Sequence, residues 1–202
     1  MRRAAGSSPG AARRAARIWA SLKRGIFPHD FAFFLDLPWR HLVLPPRTLA
    51  NRLPLPARRV LEVGAGTGFY AVEIARAMPQ GWLELLDLQP EMLAHARRKI
   101  EAAGLRNVGF TEAEAGRLPF GDGAFEVVYL VTVLGEIGDP DAFMGEAHRV
   151  LAPGGTLSVS EHVPDPDRLP IARVQRLAEA RGFVLREHFG SRWSYTANFT
   201  RG

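Results

Sequence analysis

Beyond residue 56 the chain alternates short apolar runs with longer amphipathic stretches, and the two periods predict the elements. Residues 59–63 (RVLEV) read as a strand ending in glycine. Residues 67–78 place Tyr70, Ile74 and Met78 on one face of a helix. Residues 82–88 read as a second strand. A helix over 90–103 follows, with Pro90 in its first turn, where a missing N–H costs nothing. Val108 to Thr111 is a short third strand, and FEVVYLV at 125–131 is apolar enough for a strand buried on both faces. A helix capped by Asp139 or Asp141 runs to Leu151 and is stopped by Pro153-Gly154-Gly155. A fifth strand over 156–160 and a helix over 168–181 complete the alternation. The runs 184–189 and 193–199 are separated only by Gly190-Ser191-Arg192, too short a link for anything but an antiparallel hairpin. The pattern predicts an α/β fold: a doubly wound, mostly parallel seven-stranded sheet with an antiparallel C-terminal hairpin.

The segment before the first strand is built differently. Residues 28–56 hold six prolines and the aromatics Phe31, Phe33, Phe34 and Trp39, and divide into short helical pieces near 30–36 and 46–53. A single domain over 25–202 is expected, with 25–56 as an N-terminal helical lid and 57–202 as the core. Such a lid would lie across the carboxyl ends of the strands, with His29 and Glu136 approaching the reacting centre from opposite sides.

Charge changes the picture only at the N-terminus. Residues 1–24 carry seven Arg or Lys and no acid, out of a whole-chain balance of 26 bases and 21 acids; the remainder is therefore slightly acidic, at −2. This basic stretch reads as a solvated, flexible tail rather than a nucleic-acid clamp, and no nucleic-acid partner is expected. Apolar residues 18, 19, 22 and 26 stand at helical spacing, so 13–27 offers peripheral contact with a membrane surface, or packs on the domain. No apolar run is long enough to span a bilayer, and a cytoplasmic location is expected. The chain has no cysteine, which excludes disulfides, thiolate metal sites and cysteine nucleophiles. No metal ligand set is expected, and nothing in the sequence fixes an oligomeric state.

The chemistry lies in the loop after the first strand. Gly64, Gly66 and Gly68 allow a sharp strand-to-helix turn and close approach of a ligand to the backbone. A dinucleotide fingerprint would need glycine at 69, where the chain has Phe69. Glu62 precedes the loop; a carboxylate there would repel a pyrophosphate but suits an ammonium group. Asp87, ending the second strand, is placed to accept the hydroxyls of a ribose.

These segments in order, VLEVGAGTG (60–68), LLDLQPEML (85–93), LPFGDGAFEVVYLVTVL (118–134) and HRVLAPGGTLSV (148–159), resemble the class I S-adenosylmethionine-dependent methyltransferases of the ubiquinone/menaquinone-biosynthesis type. The resemblance covers about residues 57–162. It implies a Rossmann-like fold and S-adenosylmethionine as cofactor. Matched residue by residue, it implies that Glu62, Gly64, Ala65, Gly66, Thr67 and Gly68 hold the methionine moiety and Asp87 the ribose. Leu88 and Met92 would flank the adenine, Ala113, Glu114 and Ala115 would meet its edge, and the backbone of Val131 would face the sulfonium. Two stretches depart from the family pattern, and in the first Ala113 also stands where a glycine is usual. Glu114 stands where an aspartate is usual, and Gly135-Glu136 stands where many relatives carry a pair of histidines.

The acceptor is expected to be a small apolar or aromatic molecule. A phenol or enol acceptor needs a base, and the candidates near the ligand edge are His29, Glu136, Glu161 and His162. No Asn/Asp-Pro-Pro-aromatic tetrapeptide follows the fourth strand, which argues against methylation of an exocyclic amine. The competing readings are an RNA methyltransferase that uses the basic tail, a non-catalytic cofactor-binding protein and, least favoured, a nicotinamide-dependent oxidoreductase.

Overall fold

The centre of the sheet is β1 (Arg59–Val63), whose residues after Arg59 are all buried because it has a strand on either side. In this computed structural model residues 43–202 are described, and the sheet runs in the order β3-β2-β1-β4-β5-β7-β6. Its other strands are β2 (Trp82–Asp87), β3 (Val108–Glu112), β4 (Phe125–Val131), β5 (Leu151–His162), β6 (Phe183–Gly190) and β7 (Ser194–Arg201). Strands β1 to β5 pair in parallel, whereas β7 runs antiparallel to both β5 and β6. The doubly wound sheet with a C-terminal hairpin is as the sequence pattern predicts.

The described helices are α1 (Pro46–Arg52), α2 (Ala71–Ala77), α3 (Pro90–Ala102), α4 (Pro140–Val150) and α5 (Ile171–Glu179). They cover both faces. Leu61, Val128, Leu130, Leu157 and Val159 pack with Phe143, Met144 and Val174 of α4 and α5. The alternate residues Val60, Val127, Tyr129 and Val131 pack with Leu49, Ile74 and Ala96 of α1, α2 and α3. Alternation along each strand thus feeds two cores at once.

Several boundaries differ from the sequence reading, the helix expected over 168–181 running Ile171–Glu179, and two of the differences have a clear cause. The fifth strand does not wait for residue 156: α4 ends at Val150 and β5 starts at Leu151, which pairs with Phe125. Pro153-Gly154-Gly155 is carried inside the strand as an irregularity, since pairing resumes only at Val127 with Thr156. Gly154, at φ +75°, absorbs the extra residues. The helix expected over 67–78 begins at Ala71, because the residues before it are spent on the glycine-rich turn. The cap at Asp139 is as expected, its side chain accepting from the Ala142 amide at 3.0 Å.

Of the segment expected to form a lid, α1 is described. It packs against α2 and against the face of β7, where Arg52 Nη1 donates to Thr196 Oγ1 at 3.0 Å and Asn198 Nδ2 donates to the Arg52 carbonyl at 2.6 Å. Residues 1–42, with the basic tail, the aromatics Phe31 to Trp39 and His29, lie outside the described residues.

Candidate functional site

The turn between β1 and α2 is fixed by strand β2. The amides of Gly64 and Ala65 both donate to the Leu86 carbonyl, at 2.8 and 3.0 Å, and the Gly66 amide donates to Asp87 Oδ2 at 2.8 Å. Gly64, Gly66 and Gly68 have φ of +69°, +52° and +72°, the left-handed region open to glycine at no steric cost. Space is as tight as conformation. A Cβ on Gly64 would stand 2.5 Å from a methyl of Val133, and one on Gly68 would stand 2.9 Å from Ala96 Cβ. The loop is therefore drawn against the segment after β4 on one side and against α3 on the other. Thr67 is buried and accepts from Lys99 Nζ of α3 at 3.1 Å.

Asp87 ends β2 with both carboxylate oxygens engaged. Oδ1 accepts from the Gln89 amide at 2.9 Å, and Oδ2 holds the Gly66 amide. It is 8% exposed; burial pushes its pKa up, and the backbone donors at Gln89, Gly66 and Leu88 pull it back down. A carboxylate has about four acceptor sites, so acceptor capacity remains for a ligand hydroxyl. Glu62, on β1, is 3% exposed and accepts from the Tyr129 hydroxyl at 2.7 Å.

The other expected cofactor contacts lie along the same edge. Leu88 is 41% exposed while Met92 is 1% exposed. Ala113 donates its amide to the Asp87 carbonyl at 3.2 Å, Ala115 packs on the core of the α4 and α5 side, and Glu114 is exposed between them. The carbonyl of Val131 accepts the Thr132 hydroxyl at 2.8 Å. Thr132 itself has φ +54°, a strained conformation for a β-branched residue, and donates its amide to Ser160 of β5. The chain thus turns abruptly at the carboxyl end of β4, where a ligand of this kind of sheet sits.

The expected proton-handling residues separate. Glu161 and His162 end β5, but successive residues of a strand face opposite sides, so they do not converge. Glu161 is 1% exposed, and burial, helped by the charges of Asp165 and Glu136, raises its pKa to about 8. The Leu169 amide and Arg168 oppose that shift only in part. Glu136, half-buried after β4, is therefore within electrostatic reach of Glu161. His162 is 2% exposed, with Nδ1 3.4 Å from the Val163 carbonyl. Among the described residues no group of three or more His, Asp or Glu could hold a metal ion, and no helix is long and apolar enough to cross a membrane.

Sequence reasoning passed over Tyr129, Thr132 and Val133. Tyr129 had a signal: it is a lone hydroxyl in an apolar strand that must lie beside β1. Thr132 and Val133 had none, because their roles depend on where the chain turns.

A glycine turn after a central first strand, an acid before it and a second acid ending the neighbouring strand define a class I methyltransferase fold, whose cofactor is S-adenosylmethionine. The donor set fits that cofactor. The two buried acids, Glu62 and Asp87, match an ammonium and a ribose. Residues 60–155 match the family described as a methyltransferase domain. It is 41% identical over 135 residues to demethylmenaquinone methyltransferase of Thermus thermophilus, covering 67% of this chain and 59% of that protein. It is 37% identical over 108 residues to the ubiquinone/menaquinone biosynthesis C-methyltransferase UbiE of Vibrio campbellii, covering 52% of this chain and 42% of that one. The chain thus spans about half the length of these curated relatives. A SAM-dependent methyltransferase from Aquifex aeolicus superposes with a TM-score of 0.80, covering 87% of this chain and all of that one at 22% identity; this likeness concerns the fold.

Proposed function

We propose that this protein is an S-adenosylmethionine-dependent C-methyltransferase acting on a small aromatic acceptor of the reduced-quinone type. The observation that carries the reading is the pair of buried acids, Glu62 and Asp87, on adjacent strands beside a glycine turn at the carboxyl edge. The names of the Thermus and Vibrio relatives support the quinone class and transfer to carbon. When bound, the cofactor supplies an electrophilic methyl group and leaves as a neutral thioether.

The chain's own residues then bind, orient and manage protons. Glu62 meets the ammonium of the methionine end, and the backbone of residues 64–68 lines it. Asp87 accepts the ribose hydroxyls, Leu88 and Met92 hold the adenine, and Ala113, Glu114 and Ala115 border it. The Val131 carbonyl faces the sulfonium. Holding donor and acceptor in line is worth up to about 7–11 kcal/mol of a barrier. A ring carbon beside a hydroxyl becomes nucleophilic as that hydroxyl loses its proton, and Glu136 is the carboxylate assigned to take it. Glu161, protonated near neutral pH, keeps a second negative charge away from Glu136. His162 faces the other side and is assigned no proton transfer, and His29 keeps its place as a candidate in the lid. The reaction is assigned to the cytoplasm.

The test is direct. The protein is incubated with labelled S-adenosylmethionine and either a short-chain reduced demethylquinone or bulk RNA. The product expected is a quinol one methyl heavier with both hydroxyls still titratable. Label only on oxygen, or only in RNA, would overturn the reading. Cofactor binding without turnover of either would favour a non-catalytic cofactor-binding protein.

A further inference from the structure

Tyr129 sits in the middle of β4, fully buried, directly opposite Glu62 in the β1–β4 register. Both side chains face the α1–α3 side of the sheet, beneath the glycine turn. The other inward positions of β4 are Phe125, Val127, Val128, Leu130 and Val131, so Tyr129 is the only polar group the strand buries. An apolar residue there would serve the core equally well. Its hydroxyl does something else: it donates to Glu62 Oε2 at 2.7 Å. Burial first, then the charge and hydrogen bond of Glu62 and the nearby Tyr70, hold the phenol far above its ordinary pKa. The group therefore remains a donor throughout the working pH range. A donor aimed at a carboxylate favours its charged form and fixes which oxygen is turned away. A buried acid without such a partner would tend to take up a proton instead.

We propose that Tyr129 is a positioning residue for the methionine end of the cofactor, holding Glu62 ionised and aimed at the ammonium group. The inference rests on the assignment of Glu62 made above. Tyr129 acts through Glu62 rather than by touching the ligand, and it should matter only for ligands that carry the amino-acid end.

Two ligands separate this role from a merely structural one. S-adenosylhomocysteine carries the amino-acid end, and 5′-methylthioadenosine has the same nucleoside without it. Calorimetry on the whole chain compares the wild type with Tyr129→Phe, which removes one oxygen and keeps the ring, and with Glu62→Gln. Tyr129→Phe should weaken S-adenosylhomocysteine roughly tenfold near neutral pH, the loss of a hydrogen bond to a charged group. The deficit should grow as the pH is lowered, and binding of 5′-methylthioadenosine should stay at the wild-type level. Glu62→Gln should show the same selectivity. Equal weakening of both ligands, or unchanged affinity at every pH, would overturn the role of Tyr129. A Glu62→Gln variant with wild-type affinity for S-adenosylhomocysteine would overturn the assignment of Glu62, and the inference with it. Wild-type protein that binds neither ligand would remove the cofactor reading itself.

Discussion

Asp87 Oδ2 accepts the amide of Gly66 at 2.8 Å, so the carboxylate that ends β2 also holds the turn that follows β1. One residue thus joins the two loops between which a nucleoside would lie. Asp87→Ala should therefore affect two measurements. Binding of S-adenosylhomocysteine should weaken by about 1.5–3 kcal/mol, and stability should fall by about 1–2 kcal/mol, as two half-buried amides lose their acceptor. Calorimetry and urea unfolding would report them separately. A folded variant with wild-type affinity would show that Asp87 serves the loops alone.

Gly64→Ala should destabilise the protein by about 2–4 kcal/mol, through a left-handed backbone and an overlap with Val133. The two causes can be separated. Val133→Ala in the same chain should recover the overlap and leave the backbone cost, so about half the loss should return. Thermal and urea unfolding of the single and double variants would decide it; strictly additive losses would mean that the Val133 contact carries no strain.

Glu161 predicts a pH dependence with a definite sign. Its pKa is raised on folding, from 4.5 to about 8, so the native state holds a proton that the unfolded chain releases in that range. The associated stability is complete below about 4.5 and is lost as the pH rises to about 8. Glu161→Gln stays neutral throughout, so its stability relative to the wild type should rise across this window and level off above it. Parallel stability curves from urea titrations at several pH values would contradict the burial-driven shift.

Arg149 ties the segment before β4 to α4. Its Nη1 donates to the Phe120 carbonyl and Asp122, at 2.7 and 2.9 Å, and its Nη2 to the Leu118 carbonyl and Glu146, at 3.0 and 2.8 Å. Arg149→Leu should cost about 1–3 kcal/mol, and Arg149→Lys should recover only part of it, since an ammonium cannot reproduce the planar fork. Denaturant midpoints would check both. Full recovery by lysine would mean that charge alone matters.

The element order was legible because each strand of a sheet covered on both faces must be nearly apolar throughout, and FEVVYLV or RVLEV has no other stable use. The edges of elements were less legible. Pro153-Gly154-Gly155 looks like a stop, yet β5 begins two residues earlier, because Leu151 gains a partner in Phe125 that local propensity does not contain. The candidate site was legible where chemistry is written in residue type and spacing: Glu62, the glycines 64, 66 and 68, and Asp87.

The sequence by itself determined the alternation of strands and helices, the glycine turn and the two acids beside it, since backbone freedom and charge are properties of single residues. Only the tertiary structure decided how these parts meet. It set Tyr129 against Glu62 and Val133 against Gly64, both long-range contacts made by pairing β1 with β4. It also parted Glu161 from His162, neighbours in sequence that the pleat of β5 turns to opposite faces. And it gave Glu161 an environment that keeps its proton to about pH 8, a consequence of burial that no residue carries alone.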